Sequence, residues 1–375
     1  MGSYTSIEQT SDRPPIVDVA VIGAGISGLA AAASLVDAGR SVVVLESRDR
    51  VGGRLRGATL ADGGQPVDLG ATWFWPGEMR VAALVDRLGI ATHAQHIAGD
   101  AVYQDPSGPR RLDGNPIDVP SYRFSDGAHS LAEALARTLP VGTVQRGRAV
   151  RAVSADGDWL AVEHDDGAVT ARHVVAALPP ALAVRRIEFS PGLPDRIRGL
   201  AAATPVWMGS TTKVVIHFDE PFWRYDGLAG SGISHIGPMR ELHDMSGADA
   251  SPAVLFGFVP SQPGDATVSE AEVRAQLVAL FGPAAEHPAE VIIADWRTDA
   301  DTSPPGVEQL TEYRTYGHPL FHEPTLDGRL HWSSTETSTV APGHIEGALA
   351  AAERAVASIN HALDASPEPQ EIQRP

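Results

Sequence analysis

The hydrophobic positions near the start of the chain form two short apolar runs with an Ala/Leu-rich segment between them. Residues 17–22 are a β-forming run that leads into a glycine turn, which is typical of a buried strand. Residues 29–38 have the composition of a helix, and Gly39 ends it. Residues 41–46 predict a second buried strand, with Glu46 as its last residue. This order of strand, glycine turn, helix and strand predicts a parallel βαβ unit.

The rest of the chain alternates between predicted strands, helices and turns. The predicted strands are residues 144–152, 159–164, 168–177, 209–218, 254–258, 291–296 and 328–332. The predicted helices are residues 81–88, 127–139, 269–281 and 343–359. Residues 99–127 are rich in Pro, Gly and Asp and predict a loop. The pattern predicts an α/β fold in which a β-meander is inserted into a Rossmann-like sheet, with a second domain built on a mixed sheet.

The composition excludes several classes of partner and site. The chain has 375 residues, of which 43% are hydrophobic, so two domains with a large core are expected. A net charge of −18 argues against nucleic acid or an anionic membrane surface as a partner. The absence of cysteine excludes disulfides, thiolate metal sites and a cysteine-linked cofactor, and it fits a cytoplasmic location. No apolar run approaches the roughly 18 residues of a membrane span. We expect no metal site, since prolines interrupt the spacing of His318 and His322.

Three glycines of the first turn have the G-x-G-x-x-G spacing of a dinucleotide-binding motif. Gly23 permits the tight turn, Gly25 lets a pyrophosphate approach the backbone, and Gly28 lets the helix pack closely on the strand. The beginning of the helix then offers free N–H groups to the phosphates. Glu46 follows at the separation along the chain at which a carboxylate binds the ribose hydroxyls of an adenosine. These residues together predict a dinucleotide site.

A second glycine turn follows at Gly52 and Gly53, with Arg48 and Arg54 on either side. Its small residues let the backbone approach a second part of the cofactor, and an arginine there can pair with phosphate. Lys213 is a different kind of signal, because it interrupts a run of β-branched residues. A lysine in such a run usually points to solvent, and the pattern alone favours that interpretation.

Five separated blocks of sequence, in this order and spacing, resemble the flavin-containing amine oxidase superfamily, which includes the monoamine oxidases and amino-acid oxidases. The blocks are residues 17–46, 52–54, 67–70, 209–213 with 221–223, and 335–337 with 343–348. The resemblance extends over most of residues 16–360.

The resemblance implies FAD as the cofactor, held by residues spread along the chain. It places Glu46 at the adenosine ribose and the backbone of Val150 at the adenine end. It places Arg54 along the pyrophosphate and flavin, Glu336 near the ribityl chain, and the Ile345 N–H at the pyrimidine edge of the flavin. The further contacts that we expect are Gly23, Gly25, Gly28, Arg48, Gly53, Gly70, Ala71, Thr72 and Trp73. Because no cysteine is available for a thioether link, we expect the FAD to be non-covalent unless a histidine forms the link.

The resemblance also implies the chemistry. An amine is oxidised to an imine by hydride transfer to flavin N5, and molecular oxygen reoxidises the flavin and gives hydrogen peroxide. Lys213 matches the family lysine that holds a water next to N5, which reverses the interpretation based on the pattern alone. Trp296 matches a tryptophan packed near the flavin ring. A small-molecule amine and molecular oxygen are therefore the expected partners.

Two departures from the family pattern concern the substrate end. His344 stands where the family usually has an aromatic residue of a cage facing the flavin, and a neutral imidazole there can accept a proton. The candidates for the second wall of this cage are Tyr313, Tyr316 and Trp332. The long helical insertion of the family is reduced here to a short region. The site is therefore either more open or capped by a second subunit in a homodimer.

The sequence leaves the substrate and part of the function open. The leading hypothesis is an FAD-dependent amine oxidase. The enzymatic alternative is a flavin dehydrogenase or desaturase of a biosynthetic intermediate that does not use oxygen. The other alternative is a non-catalytic flavin-binding partner protein. Arg224 and Arg314 are the candidates for binding a substrate carboxylate.

We expect both domains to be discontinuous along the chain. The FAD-binding domain takes residues 16–76, 127–195 and 326–362, and the substrate domain takes residues 77–126 and 196–325. Residues 1–15 and 363–375 are expected to form a disordered leader and tail.

Overall fold

The structure, a computed structural model, describes residues 16–260, 266–307, 310 and 312–365. The expected leader and residues 366–375 of the expected tail lie outside the described residues. The α-helices are α1 (Ile26–Asp37), α2 (Met79–Leu88), α3 (His129–Thr138), α4 (Pro180–Arg186), α5 (Asp195–Ala203), α6 (Phe222–Tyr225), α7 (Glu270–Phe281) and α8 (Ile345–Ala365). The strands are β1 (Ile16–Ile22), β2 (Val42–Glu46), β3 (Gly57–Thr59), β4 (Pro66–Asp68), β5 (Trp73–Phe74), β6 (Thr92–Ala94), β7 (Asp100–Asp105), β8 (Gly108–Leu112), β9 (Tyr122–Phe124), β10 (Val144–Arg146), β11 (Val150–Asp156), β12 (Trp159–His164), β13 (Gly167–Ala176), β14 (Glu188–Ser190), β15 (Thr211–Phe218), β16 (Leu228–Ser234), β17 (Glu241–Asp244), β18 (Ala253–Pro260), β19 (Glu290–Asp295) and β20 (Leu330–Trp332).

The first sheet has the strand order β10-β2-β1-β13-β12-β11-β14, and β20 pairs with the end of β13. β1 is parallel to both β2 and β13, so that Val21 lies between Val44 and Val175 in the register. β11, β12 and β13 form an antiparallel meander. The sheet confirms the predicted α/β class, in which a meander is inserted into a Rossmann-like parallel sheet.

One face of the first sheet is covered by helices that share an apolar core with it. Val19 from β1, Leu29 and Leu35 from α1 and Ile359 from α8 are fully buried in this core. α1 is rich in alanine, and its small side chains let α8 pack along it. The helix that follows the glycine turn is therefore a neighbour in space of the last helix in the described chain.

The second sheet has the strand order β19-β15-β18-β17-β16-β7-β8. Its centre is antiparallel, and Lys213 of β15 pairs with Phe258 of β18 and with Ala294 of β19. One face carries Val214 and packs against α7 through Val273. Because alternate residues of a strand face opposite sides of the sheet, Lys213 and Phe258 point away from α7.

The prediction of a loop over residues 99–127 is wrong, because this stretch contains β7, β8 and β9. β7 pairs in parallel with β16 and extends the second sheet, where Ala101 and Val102 are buried. The glycine and aspartate that suggested a loop, Gly108 and Asp105, pair with each other at the turn of the β7–β8 hairpin. At the other end of the chain α8 runs to Ala365, so residues 363–365 are helical and are not part of a tail.

Candidate active site

One large cavity, of about 630 Å³, takes its lining residues from both sheets. The predicted site residues that line it are Gly23, Gly25, Glu46, Arg48, Gly53, Arg54, Gly70, Ala71, Thr72, Trp73, Val150, Lys213, Trp296, His344 and Ile345. The predicted site residues that do not line it are Gly28 and Glu336, both of which are buried. The fold therefore brings together segments that are far apart in the sequence, and it joins the dinucleotide motif to Lys213 and His344 in one space.

The glycine turn leaves the beginning of α1 open to a ligand. The first turn of this helix has no side-chain cap at Gly25 and no acidic residue. A Cβ added at Gly25 would meet nothing within 4 Å, so there is room beside the free N–H groups. A Cβ added at Gly28 would instead lie 2.0 Å from the Gly23 carbonyl oxygen, because the helix packs directly on the turn. The turn is an open cradle that suits the phosphates of a dinucleotide.

Glu46 lies at the end of β2, beside this turn, and its carboxylate is fixed by backbone groups. Oε2 accepts a hydrogen bond from the Ala24 N–H at 2.7 Å, and Oε1 accepts one from the Arg48 N–H at 3.0 Å. A carboxylate has about four lone-pair sites, so these bonds leave capacity for a ribose hydroxyl. Val150, the first residue of β11, lines the same cavity.

The two arginines of the second glycine turn are paired with carboxylates. The Arg48 guanidinium pairs with Asp299 and donates to Thr302 Oγ1 at 2.8 Å. Arg54 makes two hydrogen bonds with Glu336, at 2.6 and 3.1 Å. Burial raises the pKa of Glu336, but the adjacent Arg54 guanidinium outweighs it and holds the pKa below its ordinary value. Glu336 therefore stays ionised behind the cavity wall and fixes Arg54, which lines the cavity.

Lys213 is buried in the cavity wall, and the interpretation of it as a solvent-facing lysine is wrong. Lys213 is only 1% exposed. Nζ donates a hydrogen bond to the Gly70 carbonyl oxygen at 3.0 Å and another to Thr72 Oγ1. Nζ also lies 4.4 Å from the centre of the Phe256 ring, within the range of a cation–π contact. Its position is set by backbone and side-chain partners on the loop that follows β4.

The charge of Lys213 is set by its burial and by a buried ion pair nearby. Burial lowers the pKa of Lys213 to about 7, Asp68 raises it and Arg123 lowers it further. Asp68 Oδ1 accepts a hydrogen bond from the Ala128 N–H at 2.7 Å, and Asp68 Oδ2 lies 3.8 Å from Arg123 Nη2. Burial raises the pKa of Asp68, although both cations oppose it. Lys213 therefore changes its charge near neutral pH at the wall of the cavity.

Aromatic side chains form much of the remaining wall. The aromatic residues that line the cavity are Trp73, Trp75, Trp207, Phe258 and Trp296. Trp296 Nε1 donates to the Leu69 carbonyl oxygen at 3.0 Å, and Trp73 Nε1 donates to Gln95 Oε1 at 3.0 Å. Both indoles are thus fixed by their polar atom, and the Trp73 ring packs among other aromatic rings, with its centre 5.2 Å from that of Phe256.

The candidates for the second wall of an aromatic cage are wrong. Trp332 is buried in the core of the first sheet, and Tyr313 and Tyr316 pack on each other edge to face. None of the three lines the cavity. The ring beside His344 is Trp75 instead, with ring centres 4.8 Å apart and planes at 33°. His344 and Trp75 therefore form one continuous wall and do not face each other across the site.

The sequence analysis missed Glu78, which contacts His344. Its Oε1 lies 2.6 Å from His344 Nδ1, and its Oε2 accepts a hydrogen bond from the Trp75 N–H at 3.0 Å. The sequence carries no local signal for this contact, because Glu78 is far from His344 along the chain and lies three residues before the predicted helix 81–88. Glu78 does precede α2, but its side chain makes no capping bond to that helix. The carboxylate is directed to His344 instead.

Neither candidate for binding a substrate carboxylate lines the cavity. Arg224 makes two hydrogen bonds with Asp244, at 2.8 and 2.9 Å. Arg314 pairs with Glu312 in an exposed position. Both arginines already have a carboxylate partner within the chain, so the prediction is wrong for both.

A carboxylate, Glu241, lines the cavity on the second sheet. Its Oε1 lies 3.0 Å from His243 Nε2, and His243 Nδ1 lies 2.6 Å from Asp118 Oδ1. Burial lowers the pKa of His243, but hydrogen bonds to Asp118 and Glu241 outweigh it and raise the pKa above its ordinary value. The imidazolium then lies between two carboxylates, which leaves the cluster negative. The register pairs Glu241 with Phe258, and Phe258 with Lys213, so Glu241 lies roughly 10 Å from Lys213 on the same side of the sheet.

The described residues contain neither a membrane-spanning helix nor a metal-binding cluster. Within residues 16–260, 266–307, 310 and 312–365, no helix has both the length and the apolar character needed to cross a membrane. His318 and His322 bracket a 3₁₀ turn, Pro319–His322, and the described part of the chain contains no group of three or more acidic or histidine side chains placed to hold a metal ion.

Comparisons with known proteins identify the family of this chain. The chain matches the family described as flavin containing amine oxidoreductase over residues 26–121 and 118–360. It is 28% identical to the AofH protein of Mycobacterium tuberculosis, over 93% of this chain and 98% of that protein. It is 26% identical to the putrescine oxidase of Kocuria rosea, with 96% of each chain covered. The solved structure of cyclohexylamine oxidase from Brevibacterium oxydans has the same fold, with a TM-score of 0.80 at 22% identity over 93% of this chain and 100% of that one. Because the family match extends over most of the chain, this protein belongs to the flavin containing amine oxidoreductases.

Proposed function

We propose that this protein is an FAD-dependent oxidase that converts a small-molecule amine to an imine. The observation that carries the proposal is a single cavity that joins an uncapped helix beginning, suited to phosphates, to a buried lysine whose pKa is about 7. When bound, FAD supplies the acceptor for the hydride that leaves the α-carbon of the amine. The residues of this chain bind the cofactor, orient the amine and hold or release protons.

The residues that we propose hold FAD are concentrated at the phosphate end. Glu46 binds the adenosine ribose, and the N–H groups at the beginning of α1 bind the pyrophosphate. Arg54, fixed by Glu336, contributes positive charge to the wall, and Ile345 offers its N–H at the beginning of α8. We propose non-covalent binding, which predicts that acid precipitation of the holoenzyme releases all of the flavin into the supernatant. Flavin that stays with the precipitated protein would contradict this part of the proposal.

Lys213 is the residue that we propose acts closest to the redox chemistry. Its two hydrogen-bond acceptors, Gly70 and Thr72, fix Nζ in a wall from which solvent is excluded. A fixed ammonium group stabilises negative charge that develops in such a site more strongly than it does in water. Because its pKa is about 7, both of its charge forms are populated near neutral pH.

Anaerobic reduction followed by admission of air tests this function. Holoenzyme is mixed without oxygen with amines, diamines and amino acids, and the absorbance of the oxidised flavin is followed. We expect one class of amine to bleach the flavin, and air to restore it rapidly with release of hydrogen peroxide. Bleaching with slow recovery would favour the dehydrogenase alternative. Flavin that no compound reduces would favour a non-catalytic flavin-binding protein.

We further propose that the substrate carries a second cationic group. Glu241 has a lowered pKa, set first by its hydrogen bond with His243, and its half-exposed carboxylate lines the cavity two strands from Lys213. An aromatic ring, Phe258, lies between them in the register. The name of one relative, putrescine oxidase, fits a diamine. A diamine should therefore reduce the flavin with a higher kcat/KM than a monoamine of the same chain length, and equal values would contradict the proposal.

A homodimer in which a second copy caps the cavity remains a separate proposal, based on the short region between Trp75 and Gly127. Light scattering of the holoenzyme tests it, since a monomeric mass at working concentration would contradict it.

A further inference from the structure

We propose that Glu78 is a positioning residue that makes His344 Nε2 the acceptor of a proton from the substrate ammonium group. The proposal rests on the proposed amine oxidation. It concerns the deprotonation of the substrate, which precedes the removal of hydride. The contact between Glu78 and His344 is seen only in the structure.

The carboxylate of Glu78 is fixed on both of its oxygen atoms. Oε2 accepts the hydrogen bond from the Trp75 N–H at 3.0 Å, and the Glu78 N–H in turn donates to the Trp75 carbonyl oxygen at 2.9 Å. Oε1 lies 2.6 Å from His344 Nδ1. The Glu78 side chain is only 9% exposed, and within the described residues it has no lysine or arginine partner. Its negative charge is therefore directed to the imidazole.

The imidazole of His344 is fixed as well. Its ring lies against the Trp75 indole, with centres 4.8 Å apart. Its backbone is held by Thr335, whose Oγ1 donates to the His344 carbonyl oxygen at 2.9 Å and accepts from the Gly343 N–H at 2.7 Å. The ring can thus keep one orientation while a substrate is bound.

This arrangement selects one tautomer of the neutral imidazole. An ionised carboxylate only accepts hydrogen bonds, so the contact at 2.6 Å requires the proton of His344 to lie on Nδ1. The lone pair is then on Nε2. Nε2 makes no hydrogen bond with any residue in the described part of the chain, and the side chain is 36% exposed and lines the cavity. A proton acceptor is therefore presented to whatever occupies the cavity.

Amine oxidation requires the neutral form of the amine, whose lone pair assists the departure of hydride. An alkylamine has a pKa of about 10 and arrives as an ammonium ion, which has no lone pair to assist the departure of hydride. In the proposed step an N–H bond of the ammonium breaks, and its electron pair stays on the amine nitrogen. A new N–H bond forms at His344 Nε2, and the positive charge moves to an imidazolium that faces the Glu78 carboxylate. The partly exposed ring then returns the proton to solvent.

The other charged groups around His344 are already paired. On α2 and α8, Arg80 pairs with Glu346 at 3.0 Å. In the segment that follows β20, Glu336 pairs with Arg54 at 2.6 Å. Lys213 lines the same cavity from β15, but its Nζ donates to the Gly70 carbonyl oxygen. Glu78 is therefore the carboxylate that contacts the imidazole directly.

The variant E78Q keeps the shape of the side chain but has only one acceptor oxygen. The Trp75 N–H donates its hydrogen bond to that oxygen, so the amide NH₂ faces His344 Nδ1. The amide donor favours the tautomer of His344 that has its proton on Nε2. His344→Phe keeps a ring beside Trp75 and removes the acceptor. Glu353→Gln removes an exposed carboxylate that pairs with Arg80 on the same pair of helices, and it serves as the matched control.

Two measurements on the holoenzyme test the proposal. With [¹⁵N]histidine, the His344 signals, assigned by their loss in His344→Phe, should show the Nδ1–H tautomer in the wild type and its loss in E78Q. In anaerobic mixing with an amine, flavin reduction at pH 7 should slow about tenfold in E78Q and about a hundredfold in His344→Phe. Glu353→Gln should match the wild type in both measurements.

The outcomes separate this proposal from the proposed function. A wild-type His344 with its proton on Nε2, or a wild-type rate of flavin reduction in both E78Q and His344→Phe, would overturn it. Wild-type flavin that no amine reduces would overturn the amine oxidation and the proton transfer together, and the tautomer signals of the same sample would still decide whether Glu78 positions His344. Should E78Q fail to fold with bound flavin, His344→Phe alone decides the acceptor role, because flavin reduction at the wild-type rate contradicts it.

Discussion

The phosphate end and the substrate end of the cavity are built in different ways. The phosphate end comes from one stretch, residues 23–54, and is shaped by backbone and by the space that glycines leave. The substrate end comes from side chains that are far apart in sequence, such as Trp75, Glu241 and His344. The first end is defined by a local motif, which suits a cofactor of constant shape. The second depends on strand register and on individual hydrogen bonds, so it can change its substrate while the first stays the same.

The largest effect is expected from a substitution that disrupts the phosphate end. Gly28→Ala places a Cβ 2.0 Å from the Gly23 carbonyl oxygen, and the backbone must shift to accommodate it. We expect a loss of about 3 kcal/mol of unfolding free energy and little flavin in the purified protein. Chemical denaturation and the flavin-to-protein absorbance ratio measure both.

Gly25→Ala is the matched control for this change. Gly25 has φ −70°, which alanine adopts freely, and a Cβ there meets no protein atom within 4 Å. The apoprotein should therefore keep its melting temperature, while FAD binds at least tenfold more weakly because the added methyl occupies the cradle. Unchanged FAD affinity in Gly25→Ala would contradict the placement of the pyrophosphate.

The next largest effect concerns Lys213, which lies where the two ends meet. Lys213→Met keeps an unbranched side chain and removes the charge. We expect reoxidation of the reduced flavin by oxygen to slow about a hundredfold, because a fixed charge in a buried site is lost. The flavin content should stay normal. Stopped-flow mixing of reduced holoenzyme with oxygenated buffer measures the rate, and an unchanged rate would exclude Lys213 from the reaction with oxygen.

A smaller effect, on substrate preference, is expected from a substitution at the substrate end. Glu241→Gln removes the negative charge that lines the cavity but keeps a hydrogen-bonding group for His243. The ratio of kcat/KM for a diamine over a monoamine should fall about fivefold, which corresponds to the roughly 1 kcal/mol of one exposed ionic contact. The kcat/KM for the monoamine, which has no second cationic group to contact Glu241, is the internal control. A ratio that does not change would remove Glu241 from substrate recognition.

The smallest effect is on stability as a function of pH. Burial lowers the pKa of Lys213 from 10.5 to about 7, so the unfolded chain binds more protons at this site between those values. By linkage, its contribution to the free energy of unfolding rises with pH from about 7 to about 10.5, and is least favourable below pH 7. Lys213→Met should therefore melt higher than the wild type by a few degrees at pH 6, and the difference should shrink toward pH 10. A difference in melting temperature that is independent of pH would contradict the lowered pKa.

The parts of the fold that could be predicted are those that local sequence specifies. The β1–α1–β2 unit follows from apolar runs and glycine spacing, and the capping box of Ser269 and Glu272 marks the beginning of α7. The prediction of a loop fails over residues 100–112, because glycine and aspartate at the hairpin turn hide a strand that becomes buried only when β7 pairs with β16.

The candidate site could be predicted only in part, for the same reason. The motif residues line the cavity, whereas Glu78 could not be found, since its contact with His344 depends on the packing of α2 against α8. The wrong choice of Trp332 as a cage wall has a similar cause, because nothing local shows which side of β20 faces the core. One sequence signal was overlooked: Lys213 is the only lysine among the 375 residues, beside 28 arginines.

The burial of that single lysine bears on how the protein would endure the products of the proposed oxidase reaction. Hydrolysis of the imine releases a carbonyl compound, which condenses with exposed lysine amines, and hydrogen peroxide attacks thiolates. This chain has no cysteine, and its one lysine is 1% exposed and engaged in hydrogen bonds within the wall. An aldehyde that leaves the cavity therefore meets a surface whose cations are arginines, and it finds no exposed lysine side chain with which to form a Schiff base.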